Sequence, residues 1–404
     1  MTRASWAVLA AVALAAQGAW AQEPGSPPAE VPADVAELDE LLGEEVAQKG
    51  KGPFDFHWTE YGVAAYVRGY ATADYSWLHS SEQRDAHGFA LEHYHLVVGA
   101  NVQDRVLAEA QLMYHREELI LFYGQVDLRF HELAVLRVGK WLTPFGLYNE
   151  YLWPEMVSKF YASSIPTMTQ VIPVHHWTEV GAQLRGTWRL AEEVSLDYVV
   201  YACNGLEQDD PAWSPGDPGA PGDGGSLAAI AMGGNAEDAN DSGKSYGARV
   251  GLDAFGVRVG LSHYQGPYSE DGRQHLFAYG AHLLIRWGGL EVGAEGAYVL
   301  QERRAARRAD RHLRGVFLWV AYRFNDVFGD GLPLDVEPAV GFDWTRLGTG
   351  VREDDKRGFY ASLGVYPFPR TLPGAVLRVF VFGYDQDGDE VTDNRVVVQA
   401  ALGF

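Results

Sequence analysis

Sulfur and lysine are scarce in this chain. With a single cysteine, Cys203, it can hold no internal disulfide framework. Between residues 56 and 404 the only lysines are Lys140, Lys159, Lys244 and Lys356, and the net charge of -22 leaves no basic footprint for a nucleic acid. Beyond the first 21 residues there is no run of about 18 apolar residues, which excludes membrane-spanning helices. No pattern in the sequence asks for a cofactor.

What the chain has instead is aromatic and glycine residues: Tyr 21, Phe 18, Trp 12 and Gly 46. Its mean hydropathy is nonetheless only -0.17. A protein that shows an apolar side chain at every second position of many strands has this composition, because each lipid-facing residue is averaged with a polar neighbour. The negative charge belongs mostly to water-facing loops.

Residues 1–21 read as an export signal. Arg3 supplies the charge, Trp6 to Ala16 the apolar stretch, and Ala19-Trp20-Ala21 a small-x-small cleavage site. Residues 22–55 form a periplasmic linker with a short helix. Pro24, Pro27, Pro28 and Pro32 extend it, and Val35, Leu38, Leu42 and Val46 then recur at helical spacing over 35–48.

From Tyr61 the period changes to two. Val63, Ala65, Val67, Ala71, Ala73, Tyr75 and Trp77 share one face, while Tyr66, Arg68, Tyr70, Thr72 and Asp74 share the other. The chain's last stretch repeats this, with Val396, Val398, Ala400, Leu402 and Phe404 on one side, which resembles the closing strand of a bacterial outer-membrane barrel. About sixteen such segments can be counted between 56 and 404, an even number as in single-chain barrels. Connections near 103–105, 131–132, 190–192, 254–255 and 288–289 are very short, whereas 143–177 and the Gly/Pro/Asp-rich 204–243 are long. The fold class is therefore all-β, a transmembrane antiparallel β-barrel with short periplasmic turns and long external loops.

In that reading the polar parity faces the lumen. Cross-strand charge pairs are expected for Asp127 with Arg137, Arg185 with Asp197, Arg286 with Glu291, and Arg323 with Asp335. Arg68, Arg249, Arg258, Arg378 and Arg395 point inward without an obvious partner, and with Arg137 and Arg185 they form the candidate anion-attracting wall. His93, His95 and His115 come together on neighbouring strands as a weak metal candidate. His175-His176, in the loop ahead of residue 178, is weaker still. Ser262 lies beside His263 but on the opposite face, and no Ser–His–acid set emerges, so no catalytic residue is expected.

The segment Leu136-Arg137-Val138-Gly139-Lys140-Trp141-Leu142-Thr143-Pro144-Phe145-Gly146 resembles the phosphate-selective porin O/P family and its porin-like relatives. Tyr201 to Gly205, Val336 to Val340 and Gly364 to Pro367 add to that resemblance. It implies a homotrimeric outer-membrane porin for small hydrophilic solutes or anions, surrounded by lipid. It also implies that loop 143–177 folds inward as a constriction, with Lys140, Lys159, Phe145, Tyr148 and Glu150 at the narrowing. The few lysines do not match the lysine-rich mouth of phosphate-specific members. The alternative is a ligand-specific transporter or receptor coupled to a periplasmic partner through residues 35–48, whose Leu38 to Val46 stretch looks like a transporter leader.

Overall fold

The computed structural model describes residues 55–58, 62–80, 86–115, 118–152, 158–160, 165, 167, 171, 177–206, 243–269, 272–302, 310–325, 327, 334–348, 353–369, 374–386 and 392–403. The export signal, the helix expected over 35–48, His175-His176 and Phe404 lie outside the described residues.

Seventeen strands follow one another. They are β1 (Asp55–Trp58), β2 (Val63–Ser80), β3 (Ala86–Val102), β4 (Val106–His115), β5 (Glu118–His131), β6 (Ala134–Leu142), β7 (Thr178–Ala191) and β8 (Val194–Cys203). The second half comprises β9 (Ser245–Ala254), β10 (Val257–Pro267), β11 (His275–Trp287), β12 (Leu290–Gln301), β13 (Arg311–Tyr322), β14 (Asp335–Gly348), β15 (Glu353–Tyr366), β16 (Ala375–Gln386) and β17 (Thr392–Gly403).

Strands β2 to β17 pair antiparallel in chain order, and β17 returns to β2 (Gly403 opposite Tyr70), so the sixteen close on themselves. Closure removes every free edge that a bilayer would leave without hydrogen-bond partners. The additional strand, β1, was expected to be part of the linker and its border. It pairs with the start of β2, Trp58 opposite Val63, on the edge of β2 that β17 joins further along.

Alternation sorts the side chains as the sequence suggests. Facing outward, Val398, Leu402 and Trp77 are exposed; facing inward, Thr72, Asp74 and Gln399 are buried. Outward aromatics gather at the two rims, with Phe130, Trp188, Trp287 and Tyr322 toward the short turns and Trp77, Phe89, Tyr114 and Tyr246 toward the long loops. Two girdles around an aliphatic band match the headgroup and acyl zones of a bilayer.

The interior differs from the expected water-lined wall. Trp141, Phe145, Phe160, Ile165, Trp177, Tyr264, Phe317 and Trp319 belong to one large buried apolar cluster inside the barrel. Its members come from loop 143–177 and from inward positions of β6, β8 and β10 to β17, so that much of the lumen is packed rather than open.

Candidate functional site

Loop 143–177 leaves β6 and turns straight into the barrel. Pro144 has no N–H to extend the ladder. Gly146 then adopts φ +68, in the left-handed region that glycine enters without strain. A Cβ there would run into the Glu295 carboxylate. That carboxylate accepts the backbone N–H groups of Leu147 (2.9 Å) and Tyr148 (3.1 Å), while Ser262 Oγ accepts that of Gly146 (3.1 Å). Ser262, the serine weighed as a nucleophile, therefore holds the loop.

The centre of the arrangement is Glu150. Its carboxylate meets Arg249 of β9, Arg185 of β7 at 2.9 Å and Arg137 of β6 at 3.9 Å. Arg137 also forks onto Asp127, with Nε and Nη2 donating at 2.7 and 2.8 Å. Asp197 takes Arg249 at 3.4 Å and Arg258 at 3.2 Å, and Asp253 takes Arg258 at 3.1 Å. Tyr151 is held between the last two arginines, with guanidinium carbons 4.3 and 3.9 Å from its ring centre. Four guanidiniums and four carboxylates thus balance one another, which is what makes burial of so many charges tolerable.

Further along, Lys159 pairs with Glu337 at 2.8 Å, Asp343 accepts the Thr167 N–H at 3.2 Å, and Ser362 donates to the Lys159 carbonyl at 2.6 Å. Tyr148 packs on Phe317 and Trp319, and Phe145 on Trp177. The loop's polar and aromatic contacts fall on strands from β6 round to β15.

Several expectations change in consequence. Arg249 and Arg258 are not partnerless, because Glu150 and the other carboxylates engage them. Arg185 lies opposite Val199 rather than Asp197, which faces Thr187. The β7–β8 turn falls at 192–193 instead of 190–192 and, with a one-residue irregularity between Arg189 and Ala191, leaves the register two residues from the expected one. Asp127–Arg137, Arg286–Glu291 and Arg323–Asp335 pair as expected. Lys140 has the outward parity, its Nζ donating to the Leu121 carbonyl at 2.9 Å, so it is not at the narrowing. Phe145, Tyr148, Glu150 and Lys159 are inside.

Of the histidines, His95 is buried, stacked on Tyr70 at 4.2 Å and bonded to Gln111. The register of Tyr94 with Tyr114 runs toward His93 and His115, but among the described residues no group of three metal-ligating side chains occurs. His282 went unnoticed in the sequence: its ring lies 6.5 Å from that of Tyr151. Glu295, Asp343, Glu337 and Ser362 were also missed as loop anchors. Their inward parity was visible, but their partners, more than a hundred residues away, were not.

Burial alone would raise the Glu150 carboxyl, but Arg185, Arg249 and Arg137 outweigh it and hold it well below the ordinary carboxylate range. A depressed value contributes stability above the unfolded pKa and loses it only as pH falls through the folded one. The stability advantage over a Glu150→Gln variant should therefore persist from neutrality down through about pH 4 and disappear only in stronger acid. Denaturation midpoints of both proteins across that range would check it; an advantage already gone at mild acidity would contradict the three-arginine clamp.

A closed antiparallel barrel of sixteen strands, with aromatic rims and a long loop folded into its lumen, has the fold of a porin-like outer-membrane barrel. Solved structures agree in fold. The anion-selective porin from Comamonas acidovorans superposes with a TM-score of 0.55 at 8% identity, covering 85% of this chain and 100% of that one. The outer membrane channel DcaP of Acinetobacter baumannii gives 0.55 at 11% identity, covering 87% and 100%. OmpT, an outer-membrane protein of Vibrio cholerae, gives 0.53 at 10% identity, covering 85% and 98%. No protein-family model matches the sequence, and no curated protein sequence does.

Proposed function

We propose that the protein is a non-enzymatic outer-membrane channel for passive diffusion of small hydrophilic solutes and ions. The observation that carries this reading is the clamped loop: a closed barrel whose lumen is narrowed from one side by a segment fixed to β6 through β15. The passage then runs along the wall that the apolar cluster leaves free, β2 to β5, and the adjoining β16 and β17, which contribute Phe380, Phe382 and Val397 to the cluster. There Arg68, Arg378 and Arg395 face inward, with Asp74 and Glu109 as counter-charges. Arg137, Arg185, Arg249 and Arg258 are engaged in holding the loop and contribute little to selectivity. Any anion preference would come from the first three, because guanidinium stays charged and binds oxyanions through two parallel hydrogen bonds.

Membership of the phosphate-selective porin O/P family is supported by the short motifs around Leu136–Gly146, and a homotrimer by the trimer form solved for Vibrio cholerae OmpT. The scarcity of lysine favours weak selectivity over phosphate specificity.

The test is purified protein in planar bilayers under a KCl gradient. Stepwise conductance is expected. Arg378→Gln combined with Arg395→Gln should move the reversal potential toward cations, whereas Arg258→Gln should leave it nearly unchanged. The absence of conductance steps from folded protein would overturn the channel reading.

A further inference from the structure

The outward face of β12 to β15 departs from the aliphatic pattern near the long-loop rim. Tyr298, Arg314, Arg346 and Asp355 stand directly opposite one another on four consecutive strands, all outward by parity. Arg346 forks onto Asp355 with Nε and Nη2 donating at 2.7 and 2.9 Å. Arg314 is exposed and lies 5.7 Å from the centre of the Tyr298 ring, whose hydroxyl meets exposed His312 at 2.7 Å. In the next row Trp344 faces Arg357, and Arg357 faces Asp385.

Two guanidiniums directly opposite each other are unfavourable in a sheet. Arg346 is neutralised by Asp355, but Arg314 adds a second cation beside it. Arg314 is three residues below the end of β13, roughly 10 Å down the strand, a depth at the headgroup boundary.

A second feature adjoins this one. One row beyond Arg357, Phe359 faces Gly383, and Gly383 faces Asn394. The missing side chain at Gly383 leaves a cavity of about 500 Å³, walled by Phe359, Val381, Val396 and Trp77 among others. It is mostly apolar and opens outward, where acyl chains lie. Arg357 and Phe359 share a face two residues apart, roughly 7 Å.

We propose that this surface binds a phosphorylated lipid of the outer leaflet, its phosphate between Arg314 and Arg346 with help from Arg357, and one acyl chain in the groove at Gly383. The site rests on the barrel lying in an outer membrane but not on its conducting. A phosphate brings negative charge to exposed Arg314, which the Arg346–Asp355 pair leaves as the excess cation of the row, and guanidinium donors suit phosphate oxygens. The adjacent apolar groove selects an acylated phosphate over a free one.

The experiment is native mass spectrometry of the folded barrel in detergent, titrated with bisphosphorylated lipid A, with the same lipid after removal of its phosphates, and with inorganic phosphate as competitor. The phosphorylated lipid should be retained, the dephosphorylated form should bind at least roughly tenfold more weakly, and millimolar phosphate should not displace the lipid. Arg314→Gln with Arg346→Gln should cost a similar factor, Arg314→Lys less, and Gly383→Leu should weaken lipid retention while the barrel stays folded by heat-modifiable gel mobility. Equal binding of both lipid forms, unchanged binding by the double variant, or displacement by free phosphate would each overturn the proposal. So would cross-linking of Arg314→Cys to a second copy, which would make the face a subunit contact. Failure of conductance in bilayers would sink the channel reading alone.

Discussion

Glu150→Gln should raise single-channel conductance several-fold and turn the channel toward anions. The carboxylate is the shared partner of Arg137, Arg185 and Arg249, all on the wall, and it is carried by the loop. Without its charge, the loop loses its central attachment and three guanidiniums lose a common counter-ion. Removing one member of a buried ion cluster costs about 3–5 kcal/mol, because the remaining charges stay buried without compensation. The relief available is for the loop to swing away and let water reach the arginines. That movement both widens the lumen and adds exposed positive charge to it. Single-channel recording, reversal potential and denaturation midpoint all report on the same event. Glu150→Asp, which keeps the charge on a shorter stem, should fall between the two. Unchanged conductance with unchanged stability would mean that the clamp does not hold the loop.

Gly146→Val acts on the same loop through its backbone. Residue 146 has φ +68, and a β-branched side chain in that region costs roughly 1–3 kcal/mol. The new side chain would also displace the Glu295 carboxylate from Leu147 and Tyr148. Each hydrogen bond lost there is worth roughly 0.5–1.5 kcal/mol. A loss of about 4 kcal/mol in stability and a more open, noisier channel are expected. Gly146→Ala should show the backbone cost with a smaller steric one. A Val variant as stable and as quiet as the parent would exclude this turn as the loop's hinge.

Much of the barrel could be read directly because its rule is local. Strict alternation from Val63 to Trp77, and again from Val396 to Leu402, needs no knowledge of the rest of the chain. Short turns then fix the register of neighbours, which is why Asp127 with Arg137 and Arg286 with Glu291 came out correctly. The same reasoning failed at Arg185, where a later turn and an irregularity in β7 together left the pairing two residues away. It could not reach the site itself. Glu150 reaches Arg249, and Leu147 reaches Glu295, across the interior of a closed surface, a distance that alternation does not encode. Lys140 shows the reverse lesson: its parity already pointed to lipid, and the resemblance drew it toward the narrowing.

The short strand β1 bears on how such a barrel comes together. Its pairing with β2 spans a four-residue connection, whereas the join of β17 to β2 unites the two ends of the chain. Contacts close in sequence form early, and those far apart wait for the loop between them to close. When β17 arrives, the start of β2 is therefore already occupied by a local partner, and only the stretch from Tyr70 to Ser80 remains to be matched. Part of the edge at which the cylinder closes is covered before its last strand is in place. An incoming strand cannot slide along β2 past Asp55, which stands opposite Tyr66, so β1 also acts as a stop that sets the register of closure.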